Sequence, residues 1–541
     1  MKKLLLVFTF LTLNFNIFAA DAKQNLSVQE QEIFKAMQTE MTRNLKNLKM
    51  DKFAAPYFIT YKIVPYTKYV FGANQGVLTR TTKISYPDYE VQLRVGSLKE
   101  DNSFFSPGVS LPQTADTSFP MNFEGVSKFL WQITDSAYKN ALTQLNEKQA
   151  YKKNKHIVQE YADFSFSPAQ EYFDTLTDTV IDENYWQQVA KQTSLKGANS
   201  KLEEFKTLVN IKFMPSYFVS SRGSKYLHDR YLIEIIFMAK GRLDDGFEFN
   251  LNKNLIYGDF KDVPSLEELE KTAKDFSKEV VLLQKAQKMG SYIGPILLKG
   301  AQAADLIGVV QQSISFTKKI NSTNDAYNYI GAFADKLGLK VFSSGFDIID
   351  DPLRKTFDNK KLLGYYEIDE EGVKAEKLQI IENGILKDLP FTSSLTKNNN
   401  KSNGHGRYYY KFSSVFAMPS NLIVLPHKTI AQEDFLKTFQ TFCAEQGLKA
   451  CPIILATDGD TFFGYMVDSK TGEKTPVYGE NPSFNTRNLR DIKYASDNMQ
   501  VYNNFSNGFG TSIITPDLIL DNGEINQIQK EPARKALVEK P

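Results

Sequence analysis

At 541 residues the chain is too long for a single simple core, and two domains are expected. Lys+Arg 65 against Asp+Glu 63 leaves no global charge to attract nucleic acid, which excludes that class of partner. The 42% hydrophobic content is that of a globular protein, and 13% aromatic residues favour substantial sheet.

Met1-Lys2-Lys3 followed by the apolar run Leu4 to Phe18 reads as a cleavable secretory signal over residues 1–22. The run is interrupted by Asn14 and Asn16 and is short for a bilayer span, so no membrane span is expected once it is removed. Cleavage fits after Ala19 or after Ala22, and the mature chain is expected in the periplasm or outside the cell.

Ser27 and Glu30 make a capping box ahead of Phe34, Met37, Met41, Leu45 and Leu48 at helical spacing. Pro56 ends that helix. Tyr57–Val64, Gly76–Ser85 and Tyr89–Val95 follow as strands of a short antiparallel meander. A helix is expected from about Val126 to Tyr151, and Lys148, Lys152, Lys153, Lys155 and His156 at its end read as a solvated basic face. Another helix covers Tyr185–Gln192, then strands lie near 208–222 and 230–240, and Asp244-Asp245-Gly246 breaks the pattern. Ser265 and Glu268 form a second capping box, opening a helix that reaches about Lys288. Gly290 and Gly294-Pro295 close it. The domain boundary is placed there, giving an N-terminal α+β domain over 23–290 and a C-terminal domain over 291–530.

The C-terminal part opens with a buried strand, Ile296-Leu297-Leu298, and a helix from Ala301 to Ser315. Asn383-Gly384, Asp458-Gly459 and Asn522-Gly523 each carry hairpin-turn chemistry, which argues for a mainly antiparallel sheet. Lys397–Asn403 reads as a surface loop, and 531–541 as a polar tail. Cys443 and Cys451 are the two cysteines of the chain. In an exported protein they form either a disulfide or a pair of structural thiols.

One stretch is more specific than the rest. It runs Phe346-Asp347-Ile348-Ile349-Asp350-Asp351-Pro352, then Asp369-Glu370-Glu371-Gly372-Val373, then Ile381-Glu382-Asn383-Gly384-Ile385-Leu386-Lys387. In this order and spacing it resembles the TldD/PmbA family of metallopeptidase-related proteins, also called modulators of gyrase. Val95-Gly96-Ser97 with Asp101-Asn102, Leu130–Lys139, Ser402-Asn403-Gly404-His405-Gly406-Arg407, Pro419–Leu422 and Asn488–Ile492 extend the likeness along most of the mature chain.

The resemblance implies a two-domain α+β fold, with a mixed N-terminal domain and an antiparallel, barrel-like C-terminal one. It implies a homodimer, or a heterodimer of a metal-bearing and a metal-free chain, with peptide or unfolded polypeptide lying extended in the cleft. Metal-bearing members carry His-Glu-x-x-x-His and a later cysteine, as zinc and a water-activating glutamate require. Aligned on Gly294-Pro295, this sequence places Lys299 at the first ligand, Gly300 at the glutamate and Ala304 at the second ligand, with no cysteine after Cys451. No catalytic, cofactor or metal-binding residue is therefore assigned, and no cofactor is expected.

Four histidines remain: His156, His228, His405 and His427. His405, whose ring the flanking glycines should expose, is the candidate for a different ligand set. Asp350-Asp351-Pro352 and Asp369-Glu370-Glu371 in principle suit a hard cation, but the first fits a turn and the second a solvated acidic trio. The leading expectation is an exported, metal-free subunit that binds peptide and supports proteolysis by a metal-bearing partner. An active zinc peptidase with unfamiliar ligands, or a non-proteolytic envelope peptide-binding protein, are the alternatives.

Overall fold

The computed structural model describes residues 26–103, 113–114, 120–158, 160–176, 180–315, 331–409 and 414–529. The expected signal (1–22) and polar tail (531–541) lie outside them. The protein is α+β, with six α-helices among the described residues. They are α1 (Val28–Asn47), α2 (Phe123–Lys155), α3 (Glu183–Gly197), α4 (Leu266–Leu283), α5 (Ala301–Ile314) and α6 (Gln432–Glu445). Both anticipated capping boxes form, Ser27 with Glu30 and Ser265 with Glu268.

A nine-stranded sheet dominates the first half. Its centre is a long hairpin of Pro56–Asn74 and Val77–Val95, not the three short strands expected from the prolines and glycines. Pro65 and Pro87 sit directly opposite each other. Neither needs a donor there. Pro65 falls in the gap between the segments that pair with Ser216–Ser220 and with Glu204–Phe213, and Pro87 just precedes the short outer pairing at Asp88. Helices α3 and α4 cover one face of the sheet, burying Phe71, Val209, Ile235 and Phe237 against Val189, Phe276 and Val280.

Helix α4 stops at Leu283, short of the expected Lys288, because Gln287–Lys288 is already a strand pairing with Val477 and Tyr478. Beyond it lie a seven-stranded and a six-stranded sheet, mainly antiparallel. They curl around one apolar core in a half-barrel, with Leu306, Ile307, Val310 and Ile314 of α5 packed among Ile296, Leu298, Ile348, Val424, Leu518 and Leu520.

Asn383-Gly384 makes its hairpin turn, with both residues at positive φ (45° and 80°). The Asp458-Gly459 turn is displaced by one residue, since Asp458 still pairs with Thr461 and Gly459-Asp460 is the loop. Asn522-Gly523 is not a turn. It lies inside strand Leu518–Ile525, opposite an irregularity between Gly294 and Ile296. A Cβ on Gly523 would stand 2.3 Å from Ile296 Cδ1, so close approach of the facing strand, rather than a turn, accounts for this glycine.

The basic end of α2 is not a solvated face throughout. Lys148 Nζ is buried against Asp163 Oδ2 at 2.6 Å, and Lys152 pairs with Glu100. Lys153 and Lys155 remain exposed, and His156 closes the helix at φ 55°. In the expected surface loop, Lys397–Lys401 is largely open, but Ser402 and Asn403 are buried.

Candidate functional site

Strand Tyr292–Leu298 delivers the chain to α5, and the three positions where a metal motif would lie, Lys299, Gly300 and Ala304, straddle the start of that helix. Gly300 is the N-cap, at φ 60° and ψ −125°, and no side chain caps the helix. Instead Gly300 N donates to Asp517 Oδ1 at 2.9 Å, and Asp517 Oδ2 accepts from Gln432 Nε2 at 3.0 Å. A Cβ on Gly300 would lie 3.4 Å from the Tyr502 hydroxyl, which itself donates to Gln500 Oε1 at 2.7 Å. Burial and the Asp517 charge push the Tyr502 phenol well up, so it stays a neutral donor. Lys299 is half-buried and Ala304 is buried. An ammonium, a glycine and an alanine provide no electron pair for zinc, and the donor set does not fit that ion. Among the described residues, no group of three His, Cys, Asp or Glu side chains is placed to hold a metal.

The acidic trio and the Gly-His-Gly loop come together some way along the chain, in a setting opposite to the one expected. Asp369, Glu370 and Glu371 are all buried. Glu370 accepts from Lys62 Nζ at 2.8 Å, Tyr408 N at 2.9 Å and Arg230 Nη1 at 3.3 Å. Burial alone would raise its carboxyl, but Lys62, Arg230 and Arg407 outweigh it and hold it at about 2. Glu371 accepts from Ser393 N at 2.6 Å and faces Arg94, which is itself bonded to Asp101 at 2.7 Å.

Asp369 takes backbone N–H groups from Glu371, Val373 and Gly406. Burial and the neighbouring Glu371 charge overcome them and lift its carboxyl to about 8. Gly372 and Gly404 are at positive φ, and added Cβ atoms would stand 2.6 Å from Ser224 Cβ and 2.2 Å from Lys374 O. Through Lys62, Arg94 and Arg230 the trio thus clamps the C-terminal part of the chain to strands Pro56–Asn74 and Val77–Val95 and to the residue just before strand Tyr231–Arg242.

His405 is fully buried rather than exposed. Its Nε2 lies 3.2 Å from Asp350 Oδ2, and its Nδ1 lies 3.0 Å from Asn403 O. Asp350, also fully buried, accepts from Ser420 N and Oγ. Enclosed on both ring nitrogens, His405 cannot serve as an accessible ligand. His228 is likewise buried, with Nε2 3.2 Å from Ile368 O, and burial pushes its pKa down. His427 is exposed and pairs with Asp347 at 3.1 Å. The structure therefore brings the sequence motifs together as a buried scaffold.

Cys443 and Cys451 are joined in a disulfide, with Cα atoms 6.1 Å apart, pinning α6 to strand Ala450–Asp458. Sequence reasoning missed Lys62, Arg94 and Arg230 as partners of the trio. Lys62 and Arg94 sit among apolar strand residues and Arg230 just ahead of a strand, and nothing local marks a charge that will be paired across the fold.

Residues 291–449 match the family model of the PmbA/TldA metallopeptidase C-terminal domain. No curated protein matches the chain. Among solved structures, one described as a modulator of a DNA gyrase from Thermotoga maritima is similar at TM-score 0.62 and 14% identity, covering 91% of this chain and 100% of its own. TldE from Thermococcus kodakarensis is similar at 0.58 and 13%, with 91% and 100% covered. A further modulator of DNA gyrase, so described, from Bacteroides thetaiotaomicron gives 0.59 and 12%, with 91% and 98% covered. At these identities the structural likeness speaks for the fold.

Proposed function

The protein belongs to the TldD/PmbA family, and on that premise we propose that it is a metal-free, exported subunit that binds extended peptide and supports proteolysis by a metal-bearing paralogue. The observation that carries the reading is the set Lys299, Gly300 and Ala304 at the start of α5, with Asp517 and Tyr502 closing around Gly300. This turn is built to be stable without a metal, because Asp517 meets the N-cap amide. The disulfide between Cys443 and Cys451 supports an oxidising compartment, in keeping with the apolar segment of residues 1–22.

Peptide binding has a physical basis in strand Gln500–Ser506. It is the outer strand of the six-stranded sheet, and the same strand carries Tyr502 to Gly300. An edge strand presents unpaired backbone groups that an extended chain can meet, with affinity coming from main-chain hydrogen bonds.

The test is the zinc content of the purified mature protein, together with peptide hydrolysis alone and in mixture with a metal-bearing paralogue from the same source. The expected result is negligible zinc and hydrolysis only in the mixture, with the two chains co-eluting. About one zinc per chain, retained through dialysis and lost together with hydrolysis, would overturn the reading.

A further inference from the structure

The face of the nine-stranded sheet turned away from α3 and α4 has a charge pattern that the proposed function does not use. Cross-strand register fixes which residues share it. Lys68 is directly opposite Lys212 on one side and Ile84 on the other, Val70 is opposite Thr82 and Asn210, and Gly72 is opposite Arg80. Gly72 has no side chain to fill the row, and a Cβ there would stand 3.2 Å from Arg80 Cβ. Arg80 turns back along its own strand, with Nε 3.5 Å from Thr82 Oγ1. Lys212 reaches Glu234 Oε2 at 2.9 Å.

Three cations therefore crowd around one acid. Lys68, half-buried, has no ion-pair partner among the described residues. Burial, Lys212 and Arg80 push its pKa below the usual lysine range, against the pull of Glu234. Like charges set side by side on a sheet oppose folding, and an incoming anion relieves them. Lys212 Nζ also lies 5.3 Å from the ring centroid of Phe505. Phe505 belongs to strand Gln500–Ser506, three residues and roughly 10 Å along it from Tyr502. The cationic row thus begins beside the strand on which peptide is placed.

Resting on the peptide-binding reading, we propose that Lys68, Arg80 and Lys212 form a docking surface for acidic stretches of that extended peptide, so that the protein selects polypeptide rich in Asp and Glu. Charge complementarity decides the occupant. A second copy of the chain would bring the same cations against each other, whereas carboxylates supply what Lys68 lacks.

The experiment is fluorescence anisotropy of the full mature protein with a labelled peptide carrying a run of glutamates, and with its counterpart in which each glutamate is glutamine. The glutamate peptide should bind more tightly, and increasingly so as salt is lowered. Lys68→Gln with Arg80→Gln should weaken it about tenfold while leaving the glutamine peptide unchanged. Arg80 is exposed and Lys68 half-buried, and an unaltered melting temperature verifies the fold. Equal binding of the two peptides, with no effect of the double substitution, would refute the acidic preference and leave peptide binding standing. Failure of both peptides to bind would refute both.

Discussion

Replacing Glu370 by Gln tests whether the buried trio holds the two parts of the chain together. The carboxylate is shared by Lys62, Arg230 and the Tyr408 amide, and its pKa is held at about 2 from an ordinary 4.5. At about 1.4 kcal/mol per pH unit, that gap corresponds to about 3 kcal/mol of stability. A second route gives a similar size: removing one partner of a buried ion pair costs about 3–5 kcal/mol because the other charge is stranded. Here Lys62 would keep, as carboxylate partner among the described residues, Glu90 at 3.7 Å.

The sign follows from the depressed pKa. Glu370 stabilises above the unfolded value of 4.5, and its contribution disappears as pH falls toward about 2. Urea unfolding followed by Trp131 and Trp186 fluorescence should show Glu370→Gln less stable by about 3 kcal/mol at pH 7, with the deficit shrinking toward pH 3. Pairing it with Lys62→Met should recover most of the loss, since neither charge is then left alone. A deficit under about 1 kcal/mol at pH 7, or one that does not shrink with acid, would refute the argument.

Asp369 has the opposite sign. Its pKa is raised to about 8, so the native state keeps a proton that the unfolded chain has released, and stability falls as pH rises. As pH rises from 7 to 9 wild type should lose stability relative to Asp369→Asn, read from paired urea titrations. Gly404→Ala should cost about 3 kcal/mol or more, because a methyl group meets Lys374 O at a positive φ, and soluble yield and melting temperature report it. Removing the short covalent loop with Cys443→Ser and Cys451→Ser should cost about 2.5 kcal/mol, seen as a lower melting temperature that reducing agent no longer alters.

What could be read from the sequence is what local chemistry decides. Ser27 with Glu30 and Ser265 with Glu268 each complete their hydrogen bonds within three residues, so the helix starts are visible without the rest of the chain. Asn383-Gly384 is equally local. Asn522-Gly523 has the same composition and a different fate, because Ile296, over two hundred residues earlier, needs the space beside Gly523. The trio was misread for the same reason. Lys62 and Glu370 are 308 residues apart, and an acidic run with no visible partner looks like a solvated one.

That difference bears on how far a family likeness carries function. The motifs that made the chain recognisable, Asp369–Val373 and Ser402–Arg407, are buried and hold backbone to backbone across the fold. They are constrained by packing and by positive φ, whether or not any chemistry takes place. The start of α5 is shaped by packing and by positive φ as well, with Ala304 buried and Gly300 at φ 60°, but Lys299, Gly300 and Ala304 offer no zinc donor. Its N-cap amide is met by Asp517. The residues that hold this architecture together and the positions where a zinc motif is expected are thus different sets. The legible motifs speak for the fold, and the metal-free reading stands on Lys299, Gly300 and Ala304.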